Sequence, residues 1–344
     1  MSNNTQSNDE VDSHDLSLMY LLLSVAGLSA FSSGSVVLAT LKIPQLKAKK
    51  LSHSLIFWMM LCDVVCNLQY AIPVSAEDGF DSQSDPGIMC IGQGMISQAA
   101  YLAVFFWNGL IAWTLFSSVI LQIKLTMDRM KIYHAIVWLT CAVFTLIPIG
   151  SYGYAGSWCW ISTNENSAFM DGHALRILCF YGIIWTILFA ELVIFVLIVL
   201  KIRHADVNAS VRSKLLRAVG RSGGYPIAMF VCWTIPTINR LYHMIVSKDG
   251  TSPYALSALH TISMGLQGVV FSAIFYSKKG VREAIIREYH ARRRITSLES
   301  SRAGKSQSDA QERFRERKPT SIWTGPPEDS VDGEPRTPID SMAL

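Results

Sequence analysis

The sequence predicts an all-α membrane protein: a seven-transmembrane helix bundle with a short amphipathic helix after the last span and a disordered carboxy-terminal tail. Three observations predict it. Half of the 344 residues are hydrophobic and only 16% are charged. The apolar residues gather into runs near the roughly 20-residue length that crosses a bilayer. The charges crowd into the connections between those runs. The chain divides accordingly into an outer amino terminus at 1–15, a helical bundle at 16–277, a juxtamembrane helix at 278–294 and a tail at 295–344.

Residues Met1–Asp15 are polar and acidic and hold no cleavable apolar core, so the first run, Leu16–Leu41, doubles as a targeting signal. Asn3-Asn4-Thr5 is a glycosylation sequon, which makes Asn3 the acceptor on the outer side. The first connection carries Lys42, Lys47, Lys49 and Lys50. The third carries Lys124, Arg129 and Lys131, and the fifth Arg203, Arg212, Lys214, Arg217 and Arg221. Loops rich in lysine and arginine stay cytoplasmic. The alternate loops hold Glu77, Asp78, Asp81 and Asp85, then Glu165 and Asp171, so the amino terminus is placed outside and the carboxy terminus inside.

The second run, His53–Ser75, has Asp63 near its middle, where a carboxylate is expensive and turns toward the bundle interior. The third, Cys90–Lys124, offers Trp107, Asn108 and Trp113, either as packing or as part of a pocket. The fourth is His134–Tyr154. Cys90 opens the third run and Cys159 sits in the second outer loop, both on the oxidising face, which predicts a disulfide between them. Two free thiols are the alternative. The other five cysteines lie within apolar runs and act as small hydrophobes.

Glu191 stands at mid-depth in the fifth run, Ala174–Ile202, where its burial calls for a hydrogen-bonding partner on a neighbouring helix. The sixth run, Ser222–Val246, contains Pro226 and Pro236 and carries Asn239 and Arg240. A proline inside a helix removes a backbone hydrogen bond, so Pro236 is expected to kink this one. At 1.5 Å per residue Arg240 lies roughly 27 Å above Ser222, near the outer surface. It either snorkels to the interface or looks into a cavity between helices. His260, in the outer third of the seventh run, Ala255–Ser277, lies at the same level; if the two residues converge they favour an anionic ligand, and a buried neutral histidine bonded to a backbone carbonyl is the alternative.

Other chemistries find little footing. His-Glu-x-x-His and Gly-x-Ser-x-Gly are absent, so an enzyme is not expected. The last run has no lysine for a retinal Schiff base, and no paired repeats suggest a transporter. No cofactor, metal or nucleic-acid partner is anticipated.

Three stretches carry a more specific likeness. Gly156-Ser157-Trp158-Cys159-Trp160-Ile161, Val231-Cys232-Trp233 with Asn239-Arg240-Leu241, and Ala255-Leu256 through Leu259-His260-Thr261 resemble the cyclic AMP receptor family of G-protein-coupled receptors. The resemblance runs from about Leu16 to Tyr289 and is most specific at Trp-Cys-Trp. It implies a plasma-membrane receptor that senses a small extracellular ligand, cyclic AMP or a nutrient, and activates a heterotrimeric G protein. Trp158, Trp160, Asn239, Arg240 and His260, with Trp107, Asn108 and Glu191, are the candidate ligand residues. Lys124, Arg129, Arg203, Lys214, Arg217 and Arg221 are the candidate G-protein contacts. A seven-helix scaffold or channel is the competing reading. The sequence departs from the largest receptor class: the third run ends Leu121-Gln122-Ile123-Lys124 without Asp-Arg-Tyr, and the seventh lacks Asn-Pro-x-x-Tyr.

Past the last run, Val281, Ile285 and Ile286 share one face of a charged segment, the pattern of a helix lying on the inner bilayer surface. Beyond Ile295 apolar residues become scarce, and disorder is expected. Arg292-Arg293-Arg294-Ile295-Thr296-Ser297 resembles a substrate of basophilic kinases. Phosphorylation at Thr296, Ser297, Ser300 and Ser301 would release the tail from anionic lipid and recruit an arrestin-like partner.

Overall fold

The computed structural model of the chain describes every residue except 1, 48–49, 73–86, 124, 156–157, 164–170, 206–207, 247–252 and 317–344. It has two compact units, Met1–Glu288 and Tyr289–Leu344. The first is a helical bundle. Its elements are α1 (Ser2–Lys42), α2 (Leu51–Leu68), α3 (Ile88–Val119), α4 (Met130–Leu146), a hairpin of β1 (Tyr152–Tyr154) and β2 (Cys159–Ile161), α5 (Gly172–Arg176), α6 (Gly182–His204), α7 (Ala209–Ile245), α8 (Tyr254–Gly265) and α9 (Gln267–Ser277). Among the described residues, five helical stretches are long and apolar enough to cross a membrane: Leu16–Lys42, Leu51–Ala71, Ile88–Val119, Gly172–His204 and Tyr254–Ser277. The other two long elements of the bundle are α4, of 17 residues, and α7, whose first half is cationic.

The helices close a ring: α1 packs on α2, α2 on α3, α3 on α4 and α6, α6 on α7, α7 on α8 and α9, and these two on α1. α3 runs through the centre, and Leu102, Ala103, Val104, Phe105 and Trp107 are all buried. A helix apolar on every side belongs inside a bundle. The ring's outer face is apolar as well: Phe31 is 77% exposed and Leu139 67%. Such a belt of exposed leucine, valine and phenylalanine is stable only against lipid, so the chain is a multi-pass membrane protein.

Local chemistry sets the helix interruptions. Residues Ile177–Tyr181 form a π-helical turn between α5 and α6. Pro236 cannot donate to the carbonyl four residues back, that of Cys232. The Ser263 hydroxyl on α8 takes its place at 2.7 Å. Gly268, at the start of α9, lets that helix approach α1 and α2 so closely that a Cβ would collide with Asp63, Ser33 and Ser29. Its N–H donates to Ser29 Oγ at 3.0 Å.

The structure changes four expectations. The fourth helix ends at Leu146 instead of continuing to Tyr154, because Pro148, Gly150 and Gly153 break it and Tyr152–Tyr154 becomes a strand. The sixth helix begins at Ala209, so Arg212, Lys214, Arg217 and Arg221 stand on α7 instead of in a loop. There is no break between an amino-terminal segment and the first run, since α1 starts at Ser2; Asn3 lies in its first turn, and its side chain is outside the described residues. The last helix, α10, runs from Lys279 to Glu316, so the stretch expected to be disordered from 295 onward is helical to Glu316. Alanine, glutamate, glutamine and arginine favour helix without any core to pack against. In its first unit α10 buries Val281 and Ala284, while Ile286 is exposed. Glu283 pairs there with Lys279 at 3.7 Å and Arg287 at 3.9 Å.

Candidate functional site

The hairpin β1–β2 is held over one end of the bundle by several independent ties. Cys159 is disulfide-bonded to Cys90 at the top of α3, with their Cα atoms 5.2 Å apart. The Cys159 N–H donates to Gln93 Oε1 at 2.8 Å, and Trp160 Nε1 donates to Gln98 Oε1 at 2.8 Å. Gln98 Nε2 in turn donates to the Cys179 carbonyl at 2.9 Å. Arg176 Nε donates to the Ile161 carbonyl at 2.8 Å. Tyr152 anchors the other strand by donating to the Thr145 carbonyl at 2.9 Å, and burial raises its phenol above the ordinary range.

Beneath the hairpin lies an aromatic cavity lined by Tyr70, Tyr101, Trp158, Trp160, Trp233 and Arg240, with His260 and Met264 at its side. The Arg240 guanidinium sits 5.3 Å from the Trp158 ring and 5.9 Å from the Trp160 ring. Arg176 approaches Trp160 as well, at 5.2 Å, so two guanidiniums share one indole. His260 meets Trp158 edge-on at 5.7 Å, and its Nδ1 is 2.8 Å from Asn239 Nδ2. The Tyr70 and Tyr101 hydroxyls are 3.1 Å apart. The floor is Trp233, packed on Tyr101, Phe105 and Phe180 at 5.3, 5.0 and 5.5 Å. The free space is about 20 Å³, room for little more than a water molecule. Arg240 and Tyr181 also line a larger hollow of about 400 Å³, shared with His173, Arg176, Trp185 and Thr237.

Of the residues proposed from the sequence, Trp158, Trp160, Arg240 and His260 meet at this cavity, and Asn239 supports His260 from behind. Trp107, Asn108 and Glu191 do not. Trp107 packs between Trp58 and His134, at 6.2 and 5.0 Å, in the contact of α2, α3 and α4. Asn108 Nδ2 donates to both Glu191 carboxylate oxygens at 3.0 Å, a buried pair joining α3 to α6. These three residues hold helices together, because helical phase turns them away from the cavity. Sequence reading missed Arg176, Gln93, Gln98, Tyr70 and Tyr101, and it named Trp233 only within the family resemblance. A signal existed for Arg176, a cation near the start of an apolar run, and for the two glutamines inside another.

At the opposite end of the bundle Arg129 and Arg203 are exposed. Lys214, Arg217 and Arg221 occupy α7, with side chains outside the described residues, and Lys124 lies outside them altogether. Thr296, Ser297, Ser300 and Ser301 are exposed on α10 in the second unit. The Thr296 hydroxyl donates to the Arg292 carbonyl at 3.1 Å and that of Ser297 to the Arg294 carbonyl at 2.8 Å.

Membrane-length helices ringed around α3, with a disulfide-pinned hairpin above a charged aromatic cavity, define a multi-pass membrane protein of the receptor type. The chain belongs to the slime mold cyclic AMP receptor family, whose sequence model matches residues 10–283. It is similar to "G-protein coupled receptor 1" of Arabidopsis thaliana, 26% identical over 273 residues that cover 76% of this chain and 78% of the relative. It is also similar to "Cyclic AMP receptor-like protein A" of Dictyostelium discoideum, 25% identical over 246 residues that cover 70% of this chain and 58% of that protein.

Proposed function

We propose that the chain is a seven-helix G-protein-coupled receptor of the plasma membrane. Its amino terminus and hairpin face outward and its α7 cations and tail face the cytoplasm. The two relatives' names, the family and the lysine- and arginine-rich inner connections support this reading. In it α4 and α7 complete the set of spans, and the segment from Lys278 onward leaves the bilayer.

The ligand is a small molecule bearing an anionic group. One observation carries that assignment: Arg176 and Arg240 both flank Trp160, and among the described residues neither forms an ion pair. Arg176 is only 7% exposed. A buried guanidinium that forms no ion pair, beside a second one that repels it, favours an incoming anion. The aromatic rings around them suit a flat heterocycle attached to that anion, which a cyclic nucleotide would satisfy. Because the free space is so small, ligand entry requires the rings to part or the molecule to extend into the hollow beyond Arg240.

The test is nucleotide exchange on a heterotrimeric G protein by purified receptor in lipid nanodiscs, with anionic small molecules including cyclic AMP. The expected result is ligand-stimulated exchange whose dose response shifts by about 1.5–3 kcal/mol in Arg240→Ala, the worth of a charged hydrogen bond. Exchange with no ligand dependence and no G-protein response would assign the chain to the scaffold or channel reading. A normal dose response in Arg240→Ala would return Arg240 to a snorkelling role.

A further inference from the structure

A second hollow, of about 300 Å³, lies at the end of the bundle opposite the disulfide, where α2, α7, α9 and the start of α10 converge. Its polar lining is Ser52, His53, Tyr225, Lys278 and Lys279, over an apolar floor from α2, α3 and α9. Tyr225 is fully buried, yet its hydroxyl has no hydrogen-bond partner. The Nδ1 of His53 is likewise buried and unpartnered. Lys278 Nζ stands 4.7 Å from the Tyr225 ring centroid.

The backbone adds to this convergence. The Lys278 carbonyl accepts from Val281 N at 3.0 Å and Arg282 N at 3.1 Å, so Lys278 caps the amino terminus of α10. The N–H groups of Lys279 and Gly280 fall in the first turn, where a helix offers donors without acceptors of its own. A Cβ built on Gly280 would meet nothing within 4 Å, so the space beside those donors is open.

We propose that this hollow is a binding site for a phosphomonoester, supplied by an inner-leaflet lipid headgroup or by a soluble sugar or inositol phosphate. His53, Tyr225, Lys278 and Lys279 line one hollow beside the first-turn N–H groups, and the Lys279 ammonium, paired with Glu283 at 3.7 Å, would exchange that carboxylate for the phosphate. A terminal phosphate has three oxygens and two negative charges to engage them, whereas a carboxylate has two oxygens and one charge. Buried polar groups normally find partners, and the Tyr225 hydroxyl gains one only from something entering the hollow. The space exceeds what a bare phosphate fills, which leaves room for the ring that carries it. Bound there, the phosphomonoester would tie the end of α9 and the start of α10 to α2 and α7. This reading stands apart from the ligand at the opposite end and from G-protein coupling.

The experiment uses the full chain in two settings and reads binding alone. Receptor in phosphatidylcholine nanodiscs is compared with nanodiscs containing a phosphatidylinositol phosphate or phosphatidylserine. Detergent-solubilised receptor is titrated with inorganic phosphate and an inositol phosphate. Bound probe is detected by native mass spectrometry and by thermal shift. The expected result is retention of the phosphoinositide, binding of the inositol phosphate, or both, and the pattern identifies the source. Affinity for the bound probe falls about tenfold in Lys278→Gln/Lys279→Gln and also in Tyr225→Phe. Because the Tyr225 hydroxyl makes no bond within the protein, Tyr225→Phe keeps its melting temperature without probe, which separates lost binding from lost folding. Failure of every phosphate probe overturns the proposal. So does equal retention of phosphatidylserine, or binding that ignores both variants. A G-protein carboxy-terminal peptide that binds through these residues while the phosphate probes fail would give the hollow to a protein partner instead.

Discussion

Trp233, the floor of the aromatic cavity, is joined to Asp63 on α2 through a single side chain. Trp233 Nε1 donates to Gln267 Oε1 at 2.6 Å, and Gln267 Nε2 donates to Asp63 Oδ1 at 2.8 Å. Asp63 Oδ2 accepts from Ser33 Oγ at 2.6 Å and from Asn67 Nδ2 at 3.3 Å. Any displacement of Trp233 would therefore be transmitted to Asp63, where α1, α2 and α9 meet.

Gln267→Leu removes both bonds and leaves the Trp233 N–H and one Asp63 oxygen without partners. The expected loss is about 2–6 kcal/mol, since each of the two buried orphans costs roughly 1–3 kcal/mol. Thermal unfolding of purified receptor measures it. A variant as stable as the parent would show that the two groups find other partners.

The Ser263 bond to the Cys232 carbonyl replaces the one that Pro236 cannot make. Ser263→Ala is expected to destabilise by about 1 kcal/mol. In a Pro236→Ala background the alanine N–H can reach that carbonyl, and the effect of Ser263→Ala should shrink. A double-mutant cycle giving purely additive losses would refute the substitution of one donor for the other.

The Cys90–Cys159 disulfide closes a stretch of 69 residues in sequence and presses the hairpin onto the cavity. Cys159→Ser is expected to cost about 2–4 kcal/mol and to weaken the ligand response as Trp158 and Trp160 lose their footing. Non-reducing peptide mapping should recover the linked pair from the parent protein. Free alkylation of both thiols in folded receptor would contradict the structure.

Lys214 and Arg217 stand in the first half of α7, below the Pro236 site. Reversing both charges is expected to lower G-protein activation about tenfold or more while leaving ligand affinity in uncoupled receptor unchanged. Intact exchange would move the contact to Arg129, Arg203, Arg221 or Lys124.

Thr296 and Ser297 are exposed but hydrogen-bonded back into their helix. A kinase reads an extended segment, so α10 would have to open locally for these hydroxyls to be phosphorylated. Mass spectrometry after stimulation should find phosphate at these hydroxyls, with more of it in Leu298→Pro, which breaks the helix. No tail phosphate in either protein would leave the arginines a lipid-binding role alone.

The membrane class, the order of the apolar runs and the Cys90–Cys159 pairing were legible in the sequence, because hydropathy, run length and compartment are local properties. Arg240 and His260 could be set at one depth because helical rise is fixed at about 1.5 Å per residue. What the sequence could not supply was azimuth. Asn108 and Trp107 are chain neighbours, yet one turns to Glu191 and the other to Trp58 and His134, and neither reaches the cavity. Rotation about a helix axis is set by the packing of several helices at once, as Gly268 against Ser29, Ser33 and Asp63 illustrates. The same limit hid Arg176, which reaches Trp160 only once the hairpin is folded back and pinned to α3. Residues 295–316 erred the other way: their polarity described the absence of a core, while helix propensity, which needs none, decided the backbone. Sequence alone thus determined that the chain is a bundle of membrane helices with a cation near one end. Tertiary packing decided which side chains that cation meets, because contact among helices distant in sequence depends on their relative rotation and not on any spacing within one of them.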